Sequence, residues 1–158
     1  MRALALLLFV ASPARAAEPE PADHIRVEKA ARRLTLYDAA GQPIRIYTGI
    51  QLGENPVGPK HFHGDGRTPE GRYVIDRGNP ASAYHLSLHV SYPDSADRAF
   101  AAAQGRDSGG DIFLHGQPNG TAARPAGDWT DGCVALSNQE IEEIWTLVGD
   151  GTPIEMVP

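Results

Sequence analysis

Asp128-Trp129-Thr130-Asp131-Gly132-Cys133-Val134-Ala135-Leu136-Ser137-Asn138 carries the only cysteine in a chain of 158 residues. Gly132 before Cys133 predicts a tight turn. Ser137 followed by Glu140 has the spacing of a helix capping box. Ile141, Ile144, Trp145 and Val148 then recur at helical spacing, so an amphipathic helix is expected, stopped by Gly149 and Gly151. Ile154 to Val157 reads as a last strand.

Upstream of the turn, Asp111 to Leu114 reads as a short buried strand ending at His115-Gly116. Ser95 to Gln104 is Ala-rich and predicts a short helix. Tyr84 to Tyr92 is the clearest strand: Leu86, Leu88, Val90 and Tyr92 share one face, and His85, Ser87, His89 and Ser91 share the other. Thr68-Pro69-Glu70-Gly71 is a turn feeding a strand at Arg72 to Asp76. Gly49 to Lys60 is a Gly- and Pro-containing loop. Leu34 to Tyr37 and Ile44 to Tyr47, joined through Asp38 to Gln42, read as a hairpin, and Ile25 to Glu28 as a further strand. The expected fold class is mainly β (α+β), with two short helices.

The first residues have the layout of a secretory signal: Arg2, an apolar run from Ala3 to Ala11, then Ala14-Arg15-Ala16 as a small-x-small cleavage site. Residues 1–16 are read as a signal peptide, 17–23 as a polar, Pro-rich disordered leader, and 24–158 as one domain. No later segment is apolar enough to span a membrane. A formal charge of −6 argues against nucleic-acid binding, which depends on neutralising phosphates.

A lone thiol in an exported chain is either an intermolecular link or a group kept for chemistry. A buried structural thiol is the bland alternative. A thiol becomes a nucleophile when a nearby imidazole takes its proton, and His115 is the candidate base. Backbone N–H groups at Gly132 and Cys133 are candidates to hold an oxyanion. Trp129 is a candidate cleft wall, and Asp131 a candidate to orient His115 or replace a polar contact. Lys60, Arg67, Arg98 and Arg106 are candidate carboxylate binders, of which Lys60 is carried forward. His61-x-His63, with His85, His89 or His115, is a rival zinc arrangement. Neither metal nor cofactor is expected.

The stretch from Asp111 to Asn138 resembles the active-site motif of the L,D-transpeptidase catalytic domain, YkuD type. That family carries His-Gly, a gap, then Ser/Thr-His-Gly-Cys, a hydrophobic residue, and Arg or Asn. This chain matches at His115-Gly116 and at Thr130, Gly132, Cys133 and Val134. Asp131 stands at the motif's second His and Ala135 at its Arg or Asn. Thr68 to Tyr73 resembles the family's Thr-Pro-x-Gly turn. The resemblance implies a YkuD-like β-sandwich or mixed sheet. It also implies Cys133 as the acylated nucleophile, His115 as proton donor and acceptor, and peptidoglycan stem peptides as substrate. Gly58-Pro59-Lys60, Gly64-Asp65, Tyr84 to Leu88 and Asp128 to Cys133 resemble a branch of periplasmic murein L,D-transpeptidase-like proteins. At least one of these is a hydrolase that releases lipoprotein from peptidoglycan. The function expected is therefore transpeptidation. Hydrolysis by the same acyl-enzyme, with murein-attached lipoprotein as a partner, is the alternative, and a non-catalytic peptidoglycan-binding module the third reading.

Overall fold

The structure is a computed structural model that describes residues 20–121 and 123–158. The expected signal peptide at 1–16 lies outside the described residues. In chain order the elements are β1 (His24–Glu28), β2 (Arg33–Tyr37), β3 (Pro43–Thr48), β4 (Gly71–Ser82), β5 (His85–Val90), α1 (Ser95–Ala103), β6 (Ile112–His115), β7 (Val134–Ala135), α2 (Asn138–Leu147) and β8 (Pro153–Val157).

The strands form one mixed sheet in the order β3-β2-β1-β8-β4-β5-β6-β7. β1–β8 and β6–β7 are parallel and the other pairs antiparallel. The expected hairpin is β2–β3. β4 joins the two halves: its first residues pair with β8 and its later ones with β5, across two register shifts. Such irregularities bend a strand and let it turn from one half-sheet to the other. The predicted strand at Arg72 to Asp76 is only the first part of β4. Gly78 and Pro80 hid the rest, because both weaken the sequence signal of a strand.

Ile25, Val27, Leu34, Leu36, Ile75 and Leu114 are fully buried in the core, each contributing about 1.5–3 kcal/mol of hydrophobic stabilisation. α2 covers β5 and β6 with Ile141, Ile144 and Leu147. The capping box is present: the Ser137 side chain accepts from the Glu140 N–H, and the Glu140 carboxylate accepts from the Ser137 N–H at 2.8 Å. Trp145 packs so closely on β4 that a β-carbon at Gly78 would lie 2.6 Å from its ring.

The leader expected at 17–23 needs correcting at its end. Ala22 is buried, its N–H donates to the Leu147 carbonyl, and the Asp23 N–H donates to that of Tyr37, both at 2.8 Å. Two backbone bonds and an apolar contact hold this segment to α2 and β2. Among the described residues no helix is long and apolar enough to cross a membrane.

Candidate active site

The parallel β6–β7 pair positions the two reactive side chains. Leu114 lies opposite Val134 and His115 opposite Ala135, so the register continues with Phe113 beside Cys133. Alternate residues share a strand face. Phe113, His115 and Cys133 therefore project to one side, with His115 about 7 Å further along. Ser87 of β5 pairs with His115 and joins that face. The result is a cleft of about 590 Å3 whose walls include Ser82, Tyr84, Ser87, Asp111, Phe113, His115, Trp129, Thr130, Asp131 and Cys133. No lysine or arginine is among the described lining residues.

The Nδ1 of His115 lies 2.7 Å from the Gly116 carbonyl oxygen. A carbonyl only accepts, so Nδ1 carries the proton and Nε2 keeps a lone pair for use as a base. Burial pushes the His115 pKa below its ordinary value, and the Gly116 carbonyl opposes this in part. Cys133 Sγ accepts from the Phe113 N–H at 3.4 Å and donates to the Asp111 carbonyl at 3.5 Å. Burial pushes the thiol up to about 11; the Phe113 N–H works against this, and the Asp131 and Asp111 carboxylates add to it. No hydrogen bond among the described residues joins Cys133 to His115. With the imidazole lowered and the thiol raised, the pair rests near neutral pH as thiol and neutral imidazole.

The Cys133 turn is held by its neighbours. Thr130 Oγ1 donates to the Cys133 carbonyl at 2.8 Å and accepts from the Gly132 N–H at 3.1 Å. The Gly132 N–H is therefore engaged, a correction to its expected oxyanion role. Gly132 matters for its backbone: φ is 136°, and the Arg67 carbonyl oxygen lies 2.5 Å from where a β-carbon would sit. Among the described residues the Cys133 N–H has no hydrogen-bond acceptor, so it remains the oxyanion candidate. Asp128 anchors the start of the turn, pairing with Arg32 at 2.5 Å and accepting the Leu52 N–H at 2.8 Å.

Trp129 and Tyr84 both line the cleft. Their rings lie 5.8 and 4.6 Å from that of His115. Gln51, which sequence reasoning did not single out, holds this wall. Its Oε1 accepts from Trp129 Nε1 at 3.1 Å and Arg124 Nε at 2.7 Å, and its Nε2 donates to the carbonyls of Pro125 and Gly127. Gly116 does not line the cleft. Its N–H donates to the Tyr84 and Leu86 carbonyls, and a β-carbon would meet Asn138 Oδ1 at 2.6 Å. Asp131 sits at the cleft mouth and makes no hydrogen bond to His115.

Lys60 is also a correction. Its ammonium is buried, bonded to the Asp65 carboxylate at 2.8 Å and the Phe62 carbonyl at 2.9 Å, so it is not presented to a ligand. His61 stacks on Phe100 with ring centres 4.3 Å apart. His85 pairs with Glu142 and His89 with Asp76, both at 2.6 Å. His89 is buried against Phe113. The histidines are dispersed, and no group of three metal-binding side chains forms among the described residues.

Residues 22–156 match the family described as YkuD, the L,D-transpeptidase catalytic domain. The chain belongs to that family. Among curated proteins it is 28% identical over 129 residues to YafK of Escherichia coli K12, a provisionally named L,D-transpeptidase, covering 79% of this chain and 46% of YafK. Among solved structures it is similar to the helical cell shape determining protein Pgp2 of Campylobacter jejuni, at a TM-score of 0.70 and 26% identity over 87% of this chain and 48% of that one. Bd1075 of Bdellovibrio bacteriovorus superposes at a TM-score of 0.61 and 25% identity, covering 88% of this chain and 51% of that one. The chain thus spans about half the length of these relatives. An Enterococcus faecium L,D-transpeptidase shares the fold at a TM-score of 0.58 with 11% identity, covering 87% of this chain and 50% of that one. The mixed eight-stranded sheet with two helices is that of the L,D-transpeptidases.

Proposed function

We propose that this chain is an exported, cofactor-free cysteine acyltransferase of the periplasm that acts on peptidoglycan stem peptides. The observation that carries the proposal is the register of β6 and β7, which sets a base-competent His115 and the lone thiol on one face of one cleft. His115 Nε2 takes the Cys133 proton as Sγ attacks the carbonyl carbon of a meso-diaminopimelate residue. The Cys133 N–H stabilises the oxyanion. The tetrahedral intermediate expels an amine, which His115 protonates, and a thioester remains. A second amine, or water, gives its proton to His115 and takes the acyl group, regenerating the thiol.

Hydrolysis is the second reading. Asp131 stands where the family motif has a His, and a carboxylate beside a thioester can accept a proton from water. A murein-attached lipoprotein is then a partner. Mass spectrometry of products from sacculi, some carrying attached lipoprotein, separates the readings, with Cys133→Ala as control. New cross-links or exchanged terminal residues that need Cys133 mean transfer. Cys133-dependent release without new bonds means hydrolysis. Products that persist unchanged in Cys133→Ala would end the proposal, and no product from either protein would leave the peptidoglycan-binding module.

A further inference from the structure

A second cavity, of about 430 Å3, is lined by Asn55, His61, Phe62, Asp65, Arg67 and Arg106. It adjoins the Cys133 turn, because the Arg67 backbone packs against Gly132. Asp65 does not neutralise it. That carboxylate already accepts from Lys60 Nζ, from the His61 and Phe62 N–H groups and from the Arg67 N–H. The Arg106 guanidinium lies 3.6 Å above the Phe62 ring and has no hydrogen-bond or ion-pair partner among the described residues; only the backbone N–H is engaged, by the Ala101 carbonyl. Arg67 directs only Nη1 to a carbonyl, that of Val57 at 2.8 Å. In a chain of net charge −6, two guanidinium groups left with open donors beside an aromatic floor are a specific arrangement.

The cleft has the opposite character. Asp111 and Asp131 flank the sulfur, and no lysine or arginine among the described residues lines the cleft. A substrate rich in carboxylates therefore needs its counter-charges outside the cleft. Arg106 and the cleft residue Asp111 belong to one continuous segment, so the two cavities are separated by at most roughly 17 Å of extended chain. An extended peptide of four or five residues bridges that span.

Resting on the function proposed above, we propose that the Arg67–Arg106 cavity is a carboxylate-binding subsite. It holds a free carboxylate of the stem peptide at a distance from the bond that Cys133 attacks. A guanidinium fork matches a carboxylate in two parallel hydrogen bonds, and Phe62 holds the Arg106 plane in place for that contact.

The test uses Cys133→Ala protein, which binds without turnover. Calorimetry compares a diaminopimelate-containing stem tetrapeptide with the same peptide carrying carboxamides. The amidated peptide is expected to bind about tenfold more weakly. Arg106→Ala should weaken the free-acid peptide by about the same factor and erase the preference, and Arg67→Ala should repeat the effect. The Arg106 side chain makes no hydrogen bond among the described residues, and iodoacetamide labelling of Cys133 in an otherwise wild-type Arg106→Ala protein checks that the cleft is intact. Equal affinity for the two peptides, or an unchanged preference in both arginine variants, overturns the subsite. If the preference fails while sacculi still yield Cys133-dependent products, only the subsite falls. If the preference holds and no such products form, the subsite stands and the proposed function falls.

Discussion

Ionisable groups are buried in two parts of this molecule, and the two parts treat them in opposite ways. In the loops outside the cleft, Lys29 and Lys60 are buried and paired, Lys29 with three acceptors and Lys60 with two. Lys29 bonds to Glu70 at 2.8 Å and to the carbonyls of Gly58 and Thr68; Lys60 bonds to Asp65 and Phe62. In the cleft, His115 is buried and Cys133 half-buried, on one face and without a hydrogen bond to each other. A paired buried charge fixes a loop. An unbonded pair facing one cleft is what the proposed proton transfer requires. The difference separates structural charge from chemical charge without reference to residue type.

The largest effect expected from breaking this contrast is at His115. His115→Asn removes the base and should lower Cys133-dependent product formation by about 10²–10⁴-fold, measured as initial rate, with the melting temperature little changed. On the structural side, Lys29→Ala should cost about 3–5 kcal/mol, because it orphans Glu70 and two carbonyls together; denaturant unfolding reads this directly. Thr130→Val removes the hydroxyl that braces the Cys133 turn. Its expected cost is about 1–3 kcal/mol of stability with a lower acylation rate, and Thr130→Ser should recover most of both.

Two pH profiles sharpen the same contrast with smaller effects. With the thiol pushed up to about 11, the iodoacetamide labelling rate of the free protein should keep rising tenfold per pH unit past pH 9. An ordinary thiol would level off near about 8.5. Product formation should lose its acid limb below the ordinary imidazole value of about 6.5, since burial lowers the His115 pKa and the neutral base persists to lower pH. The Asp65 case runs on the structural side. Burial alone would raise that carboxyl, but Lys60 and three backbone N–H groups hold it below the ordinary range. Its contribution is therefore present above the unfolded carboxylate pKa and is lost as pH falls through the lower folded value.

What could be read from the sequence follows the same division. The β2–β3 hairpin, the capping box and the apolar stripe of α2 were legible because each is a short-range pattern. β7 was not, since two residues are too few for a period. Cys133 and His115 stood out as candidates by side-chain chemistry, and the sheet register brings them to one cleft. Tyr84, Ser87, Phe113 and Gln51 were not, because the sheet register and through-space bonds bring them to the cleft. Ser87 sits between His85 and His89 on the strand face already read as polar, and that face is where the cleft lies. Lys60 was misread because a cation in a Gly-rich loop looks free. Asp65, five residues on, was the signal that it is paired, and the open cations of that loop region are Arg67 and Arg106.

The measurement closest to the central claim is intact-protein mass spectrometry after acid quenching of the enzyme with a diaminopimelate-containing stem peptide, followed by peptide mapping. The acyl mass should appear on the peptide containing Cys133, accumulate at least a hundredfold more slowly in His115→Asn, and be absent from Cys133→Ala. An acyl mass on any other residue, or equal accumulation with and without His115, would contradict the account.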